Sequence, residues 1–186
     1  MGASFPNRVW LRTVLCAAGL SACAVPVTAW ADTAGISLSA DQVLRFGTFV
    51  APSTGSRTVD AGGAVANSGV FPIGGDPVGP AQFTLTYNRA PGSTGAVTVI
   101  VQVLMASSAT QVQGGVTGTL SAFSTDLPGI PLLFPGQAVT FTMNNCRPPS
   151  CSQTFHVGAR LDVTRTSGGA TLSIPLPVSA TVLAVL

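Results

Sequence analysis

The stretch ATLSIPLPVSATVLAVL, residues 170–186, decides the fold class of this chain. Every second residue is apolar, in the series Leu172, Ile174, Leu176, Val178, Ala180, Val182, Ala184 and Leu186. Of the eight residues on the other parity, from Thr171 to Val185, six are Thr, Ser or Pro. A period of two is typical of a β-strand with one buried face, because successive side chains point to opposite sides of a sheet. The stretch therefore predicts a sheet protein whose last strand packs on its own core or pairs with another chain.

Two prolines bear on how this last strand pairs. Pro175 and Pro177 lie on the polar parity and have no backbone N–H group to donate. The first half of the strand can therefore pair on at most one side, whereas every residue after Pro177 keeps its donor. We predict a strand that begins at a sheet edge and finishes inside the sandwich, so closure of the fold takes precedence over pairing between chains.

The rest of the chain repeats the strand pattern. Alternating or continuous apolar residues predict further strands at 44–50, 82–87, 97–105, 139–143 and 154–164. Glycine and proline clusters separate these segments, as expected for turns. The chain contains no Lys and no Glu, two good helix formers, and we expect no helix of two turns. With shorter candidates between them, these segments make eight or more strands, which predict an all-β fold, an antiparallel β-sandwich.

The amino-terminal residues have the layout of a secretory signal peptide. Arg8 and Arg12 form a short positive segment, and an apolar run follows at residues 14–25. Small residues end the leader at Ala31, which predicts cleavage between Ala31 and Asp32. The apolar run is too short to span a membrane as a helix, so no membrane span is expected in the mature chain.

A second interpretation of the leader stays open. Residues 20–23, Leu-Ser-Ala-Cys, resemble a lipoprotein box in which Cys23 is lipidated and becomes the first residue. The apolar stretch before this box is short, so we favour a signal peptide over residues 1–31 and a single β-sandwich domain over residues 32–186. Export predicts a location in the periplasm, at the cell surface or in the medium, and lipidation predicts the outer membrane.

The balance of charges argues against nucleic acid and acidic lipid as partners. All eight basic residues are Arg and all six acidic residues are Asp. Because Arg8 and Arg12 belong to the leader, residues 32–186 carry no formal net charge. A neutral domain without a basic cluster is not expected to bind nucleic acid or acidic lipid.

Two cysteines remain in the predicted mature chain. Cys146 and Cys151 are separated by four residues, and in an oxidising compartment such a pair favours a disulfide across a loop. Closing so short a loop contributes about 2 kcal/mol to stability. A zinc site is disfavoured because the chain has one histidine, and a redox pair because its cysteines usually have two residues between them. We predict no metal and no cofactor.

No group of residues indicates catalysis. His156 lies on the predicted polar face of a strand, where a solvated histidine is expected. Asp76 and Asp126 lie in loops, where Asp commonly caps a turn. A pair of carboxylates acting on a glycoside stays a guess among six Asp residues. We expect a protein that is not an enzyme and has no catalytic residue.

Two segments carry a resemblance to a known family. Residues 44–49, LRFGTF, and residues 155–163, FHVGARLDV, are similar to elements of a bacterial secreted family called domain of unknown function 4402. The resemblance implies an immunoglobulin-like sandwich, in general style like fimbrial and spore-coat-protein-U-like subunits, and no established catalytic residue. The chain departs from the family pattern at Cys146 to Cys151 and at the prolines of the last strand.

Two functions are compatible with these observations. The first is a structural or assembly protein of the bacterial envelope or surface, a pilin-like subunit that joins itself or other envelope subunits by strand pairing. Residues 34–40 alternate and are a candidate donor strand, unless they form the first strand of their own sandwich. The second is a monomeric module that binds polysaccharide or protein through the loops at 124–136 and 144–153.

Overall fold

The computed structural model describes residues 35–107 and 110–186, and these residues form strands and loops without a helix. The strands are β1 Gly35–Gln42, β2 Arg45–Phe46, β3 Phe49–Val50, β4 Thr54–Val59, β5 Val65–Ser68, β6 Phe71–Pro72, β7 Val78–Gly79, β8 Ala81–Asn88, β9 Val97–Met105, β10 Thr110–Gln113, β11 Val116–Thr125, β12 Leu132–Leu133, β13 Ala138–Cys146, β14 Ser150–Arg165 and β15 Val178–Val185. Within these described ranges, no helix has the length and apolar character needed to cross a membrane.

Two antiparallel sheets make up most of the fold. The larger sheet has the order β1-β8-β14-β11-β10, with β12 on β11, β4 on β14 and β5 on β4. The smaller sheet has the order β13-β9-β15. Two short ribbons, β2 with β7 and β3 with β6, complete the pairing.

The two sheets face one hydrophobic core. Strand β9 of the smaller sheet contributes Val99, Val101, Val103 and Met105, all fully buried. The larger sheet contributes Phe83 and Phe155, whose rings stack with centroids 5.5 Å apart, and both belong to the same buried cluster as the β9 residues. The predicted all-β, antiparallel sandwich is confirmed.

The longest strand, β14, has two different neighbours along one edge. Its first half pairs with β8 and its second half with β4, and the change falls at Gly158. A Cβ atom at Gly158 would lie against the backbone of residues 59–61, where the chain leaves β4. Because glycine has no Cβ atom, β14 and its two neighbours, β8 and β4, can meet at this point of the sheet.

The two sheets differ in length, and this difference leaves part of the larger sheet uncovered. Strand β9 has 9 residues and β14 has 16. At 3.3 Å per residue these strands are about 30 Å and about 50 Å long. The smaller sheet therefore cannot cover the end of β14 near Arg165. Residues 45–51, which include the short strands β2 and β3, and the strand-free residues 168–172 lie over that end instead.

The carboxyl-terminal stretch differs from the prediction. The alternation in burial is present, since Leu172, Ile174 and Leu176 are half-buried against the core. However, the strand begins only at Val178, and β15 pairs with β9 alone, so it is an edge strand throughout. The prediction that it finishes inside the sandwich is wrong: Leu186 is 74% exposed. Strand β1 does not give β15 a second neighbour, because β1 is already hydrogen-bonded to β8 in the other sheet.

Other predicted strands lie where expected, with one difference. The segments at 82–87, 97–105 and 139–143 fall within β8, β9 and β13. The segment at 44–50 is divided into β2 and β3, because Gly47 between them has a positive φ of 65° that a strand does not tolerate.

Candidate functional site

A groove lies over the uncovered end of the larger sheet. It has a volume of about 630 Å³ and runs between residues 45–51 on one side and residues 168–172 on the other. We call it the end groove. Its apolar lining comes from Phe46, Phe49, Val116, Leu161, Val163 and Leu172. A volume of this size is typical of sites that hold a ligand or an extended piece of chain.

One wall of the end groove is an extended segment whose backbone is only partly hydrogen-bonded. Ser173 donates its backbone N–H to the Gln111 side chain of β10, 2.7 Å away. In extended chain, successive N–H groups point to opposite sides, so those of Leu172 and Ile174 point away from β10. Leu172 itself lines the groove, and Ile174 follows just beyond the lining residues. Neither of these two N–H groups has a hydrogen-bond partner among the described residues. The wall therefore has the backbone groups of a strand edge without a paired strand.

The prolines of this segment lie on its other side. Pro175 and Pro177 have the parity of Ser173, and the carbonyl oxygen of Pro177 accepts the N–H of Ala106. The donors missing from the two prolines would thus have faced β10 and β9, and the opposite side of the segment keeps the N–H groups of Leu172 and Ile174. The sequence prediction that this half pairs on at most one side agrees with this geometry.

A buried arginine lies behind the opposite wall. Arg57 is in β4, directly across from Leu161 of β14, and it is only 6% exposed. Its Nε and Nη1 atoms are buried and have no hydrogen-bond partner among the described residues. Its guanidinium carbon lies 5.7 Å from the ring centroid of Phe49, and both Phe49 and Leu161 line the end groove. The position thus places an uncompensated positive charge next to the groove.

The rim of the end groove is also positively charged. Arg45 and Arg165 line it, together with one acid, Asp76. The Asp76 carboxylate already accepts a hydrogen bond from the Thr48 hydroxyl. In the described part of the chain the ion pairs are His156 with Asp126 and Arg160 with Asp162, and neither lies at the groove. The groove therefore combines an apolar floor with an excess of cationic groups.

An exposed apolar patch adjoins the groove. Val50 lines the groove and pairs with Phe71 across the β3–β6 ribbon. Phe71 is 63% exposed, and Ile73, which donates its N–H to the carbonyl oxygen of Thr48, is 52% exposed. Large apolar side chains that are adjacent and exposed are typical of contact surfaces.

The histidine predicted to be solvated is half-exposed and bound to an acid. The Nδ1 atom of His156 lies 2.7 Å from Oδ2 of Asp126, and Oδ1 of Asp126 accepts the backbone N–H of His156. Asp126 thus occupies the edge of β14 just before the point where β11 joins it. The pair has a clear structural role, because it holds the loop after β11 against a strand edge. Within residues 35–107 and 110–186 no three His, Cys, Asp or Glu side chains are grouped to hold a metal.

A second carboxylate is held by hydroxyl groups at the surface. The hydrogen bond from Ser39 and then that from Thr84 lower the pKa of Asp41 below its ordinary value. Both donors stabilise the charged form of the carboxylate. Ser39 and Asp41 both lie in β1 and Thr84 lies in β8, so the Thr84 hydrogen bond joins the first strand to its neighbour in the sheet.

The predicted disulfide is present. Cys146 and Cys151 are joined, with their Cα atoms 5.2 Å apart, and the bridge links the end of β13 in the smaller sheet to the start of β14 in the larger sheet. Cys146 is buried in the core. The predicted cleavage residues Ala31 and Asp32 and the alternative lipidation residue Cys23 lie outside the described residues.

The segments predicted to donate a strand or to form a binding surface are placed apart from the end groove. The described part of residues 34–40 belongs to β1, which pairs with β8 in its own sheet. Of the predicted loop at 144–153, residues 144–146 belong to β13 and residues 150–153 to β14, so the loop itself is residues 147–149, beside the disulfide and at the opposite end of β14 from the groove. The loop at 124–136 is fixed to β14 at His156, about 20 Å from Ser150 at strand spacing. The two loops therefore do not meet at one surface.

A comparison with protein families identifies the chain at this point. The model of a family described as Domain of unknown function (DUF4402) matches residues 36–181. The chain belongs to this family. The match spans β1 to the middle of β15, which includes both walls of the end groove. No curated protein and no solved structure matches the chain.

The structure gives physical reasons for the two segments that carried the resemblance to DUF4402. The first, residues 44–49, forms one wall of the end groove, and its glycine makes the turn between β2 and β3. The second contains Gly158, at which β14 changes neighbours. Sequence reasoning missed Arg57, although its parity with the buried Val59 was a usable signal for an arginine that points inward.

Proposed function

We propose that this DUF4402 protein is a non-enzymatic, exported structural or assembly protein of the bacterial envelope or surface, a pilin-like subunit joined to its neighbours by strand pairing. The observation that supports this proposal most strongly is the end groove with its unpaired backbone edge. The N–H groups of Leu172 and Ile174, which have no partner among the described residues, lie in the segment that continues the groove wall, and such an edge beside an apolar floor suits an added strand.

Two further features support an assembly role. The patch of Val50, Phe71 and Ile73 beside the groove gives additional apolar area to a contact between subunits. The terminal strand β15 exposes Leu183 and Val185 on its outer face, at the edge of the smaller sheet. The chemistry of the described polar residues supports structural roles, because each of the five Asp side chains is bound to a hydroxyl, an amide or a cation.

Sedimentation velocity of the secreted, oxidised protein over a wide range of concentrations tests the proposal. We expect assemblies larger than a monomer that persist on dilution and in mild detergent. The variant Ala170→Trp, which places an indole at an exposed position of the groove wall, is expected to reduce assembly. Ala66→Trp is the matched control, since Ala66 is exposed on β5 and does not line the groove.

The competing function is a monomeric binding module, and the same experiment distinguishes the two. A folded monomer at every concentration, unchanged by Ala170→Trp, contradicts the assembly proposal and favours the module. In that case the loops at 124–136 and 144–153 become the surfaces to examine, each by itself because they lie apart.

A further inference from the structure

The end groove has features that point to the chemistry of its occupant. Its floor is apolar, one wall has unpaired backbone donors, and Arg57 is buried beside the other wall with two unpartnered nitrogen atoms. We propose that the end groove binds an extended peptide segment of a protein partner, and that a carboxylate on this segment pairs with Arg57. This inference rests on the proposed function and names the site and the ligand chemistry that assembly requires.

The peptide part of the proposal follows from the backbone of the groove wall. The N–H groups of Leu172 and Ile174 are two residues apart, so they lie about 7 Å from each other along the extended chain. This is the repeat with which an antiparallel strand offers carbonyl oxygens to its neighbour. A peptide that pairs here would place alternate side chains on the floor formed by Val116, Leu161 and Val163.

The carboxylate part follows from the charges. Arg57, Arg45 and Arg165 lie in or beside the groove, and none of them is in an ion pair with a described residue. The five Asp residues of the described chain are all bound elsewhere or, as Asp76 is, to a neighbouring hydroxyl. A carboxylate matches the planar, paired donors of a guanidinium, and a desolvated site strengthens that pairing.

The path to Arg57 runs past Phe49. The ring of Phe49 lies 5.7 Å from the guanidinium carbon and also lines the groove. Arg57 faces Leu161 across the β4–β14 ladder, and Leu161 also lines the groove. The proposal requires the Phe49 side chain to turn aside so that a carboxylate can reach the guanidinium. The cation and the apolar floor therefore belong to one binding site.

A fluorescence anisotropy titration tests the proposal with two labelled probes. The first is a capped hexapeptide of alternating threonine and valine with one aspartate, and the second has asparagine in place of the aspartate. We expect the aspartate peptide to bind at least tenfold more tightly than the asparagine peptide, because hydrogen bonds to charged groups are the stronger ones. The variant Arg57→Met is expected to remove this preference.

Control variants and a third probe decide between the proposal and its rivals. Arg160→Met keeps the preference, because Arg160 is half-exposed and paired with Asp162 away from the end groove. Equal binding of both peptides to the unmodified protein overturns the role of Arg57. No peptide binding, or binding of oleate without peptide, overturns the peptide site. If the protein assembles in sedimentation while neither peptide binds, the proposed function stands and this inference fails.

Discussion

Replacing Arg57 by methionine should make the protein more stable, which is the opposite of the usual effect of a core substitution. Arg57 is 6% exposed, and its Nε and Nη1 atoms have no partner among the described residues. Each unsatisfied buried donor costs about 1–3 kcal/mol. Methionine keeps much of the apolar stem and introduces no charge, so Arg57→Met removes this cost without leaving a large cavity.

The size of the effect follows from these contributions. Two buried nitrogen atoms without a hydrogen-bond partner destabilise the fold by about 2 kcal/mol at the lower end of the range. The cation–π contact of Arg57 with Phe49 stabilises it by about 0.5–1 kcal/mol, and this contact is lost in the variant. The net gain expected for Arg57→Met is therefore about 1–1.5 kcal/mol. With a urea m-value of about 2 kcal/mol/M, the unfolding midpoint should rise by roughly 0.5–0.8 M.

Urea unfolding of the secreted, oxidised protein, followed by circular dichroism in the β-sheet region, measures this shift. Arg160→Met is the matched control, because its half-exposed ion pair should change stability by less than about 0.5 kcal/mol. A midpoint for Arg57→Met that falls below that of the unmodified protein refutes the reasoning. Such a result would mean that the guanidinium is already compensated within the fold.

Three further predictions concern the sandwich itself. Gly158→Ala should cost about 3 kcal/mol or more in urea unfolding, because its Cβ would meet backbone at the meeting of three segments, and a loss below about 1 kcal/mol would contradict this packing. Reducing the bond between Cys146 and Cys151 should lower the free energy of unfolding by about 2 kcal/mol, and an unchanged urea midpoint would argue against the crosslink as a stabilising element. Ser39→Ala should raise the pKa of Asp41 in a carbon-13 NMR titration, since the first of its two hydroxyl donors is lost. Because the pKa of Asp41 is lowered in the folded state, its hydrogen bonds contribute above the ordinary pKa of an aspartate and are lost as the pH falls through the folded value, whereas an unmoved pKa would contradict the assigned cause.

The strands of the core were predictable because their side chains alternate between a buried and an exposed environment. The predicted segment at 97–105 is β9 without change, and the segment at 154–164 lies within β14. Both segments have hydrogen-bonded neighbours on two sides over most of their length. The residues that alternate in polarity are therefore the same residues that form the backbone ladders. The disulfide was predictable for a different reason, since a short loop keeps its two cysteines close in any fold.

The end groove was not predictable, because it depends on how two sheets of different length overlap. Residues 170–177 have the side-chain pattern of a strand, and burial follows that pattern, yet no strand forms a backbone ladder with them. Periodicity reports which face of a segment is buried and carries no information about its hydrogen-bond partners. The same limit explains why Arg57 was missed, since its environment is built by Phe49 and Leu161 from elsewhere in the chain.

Amide hydrogen exchange at Leu172 and Ile174, measured at low and at high protein concentration, tests the central claim most directly. In the monomer these two N–H groups have no partner among the described residues, so they should exchange rapidly. When the protein assembles, we expect a partner strand in the end groove to slow their exchange at least tenfold, while Ser173, already bonded to Gln111, changes little. Assembly that leaves exchange at Leu172 and Ile174 unchanged would contradict the claim that subunits join through this groove.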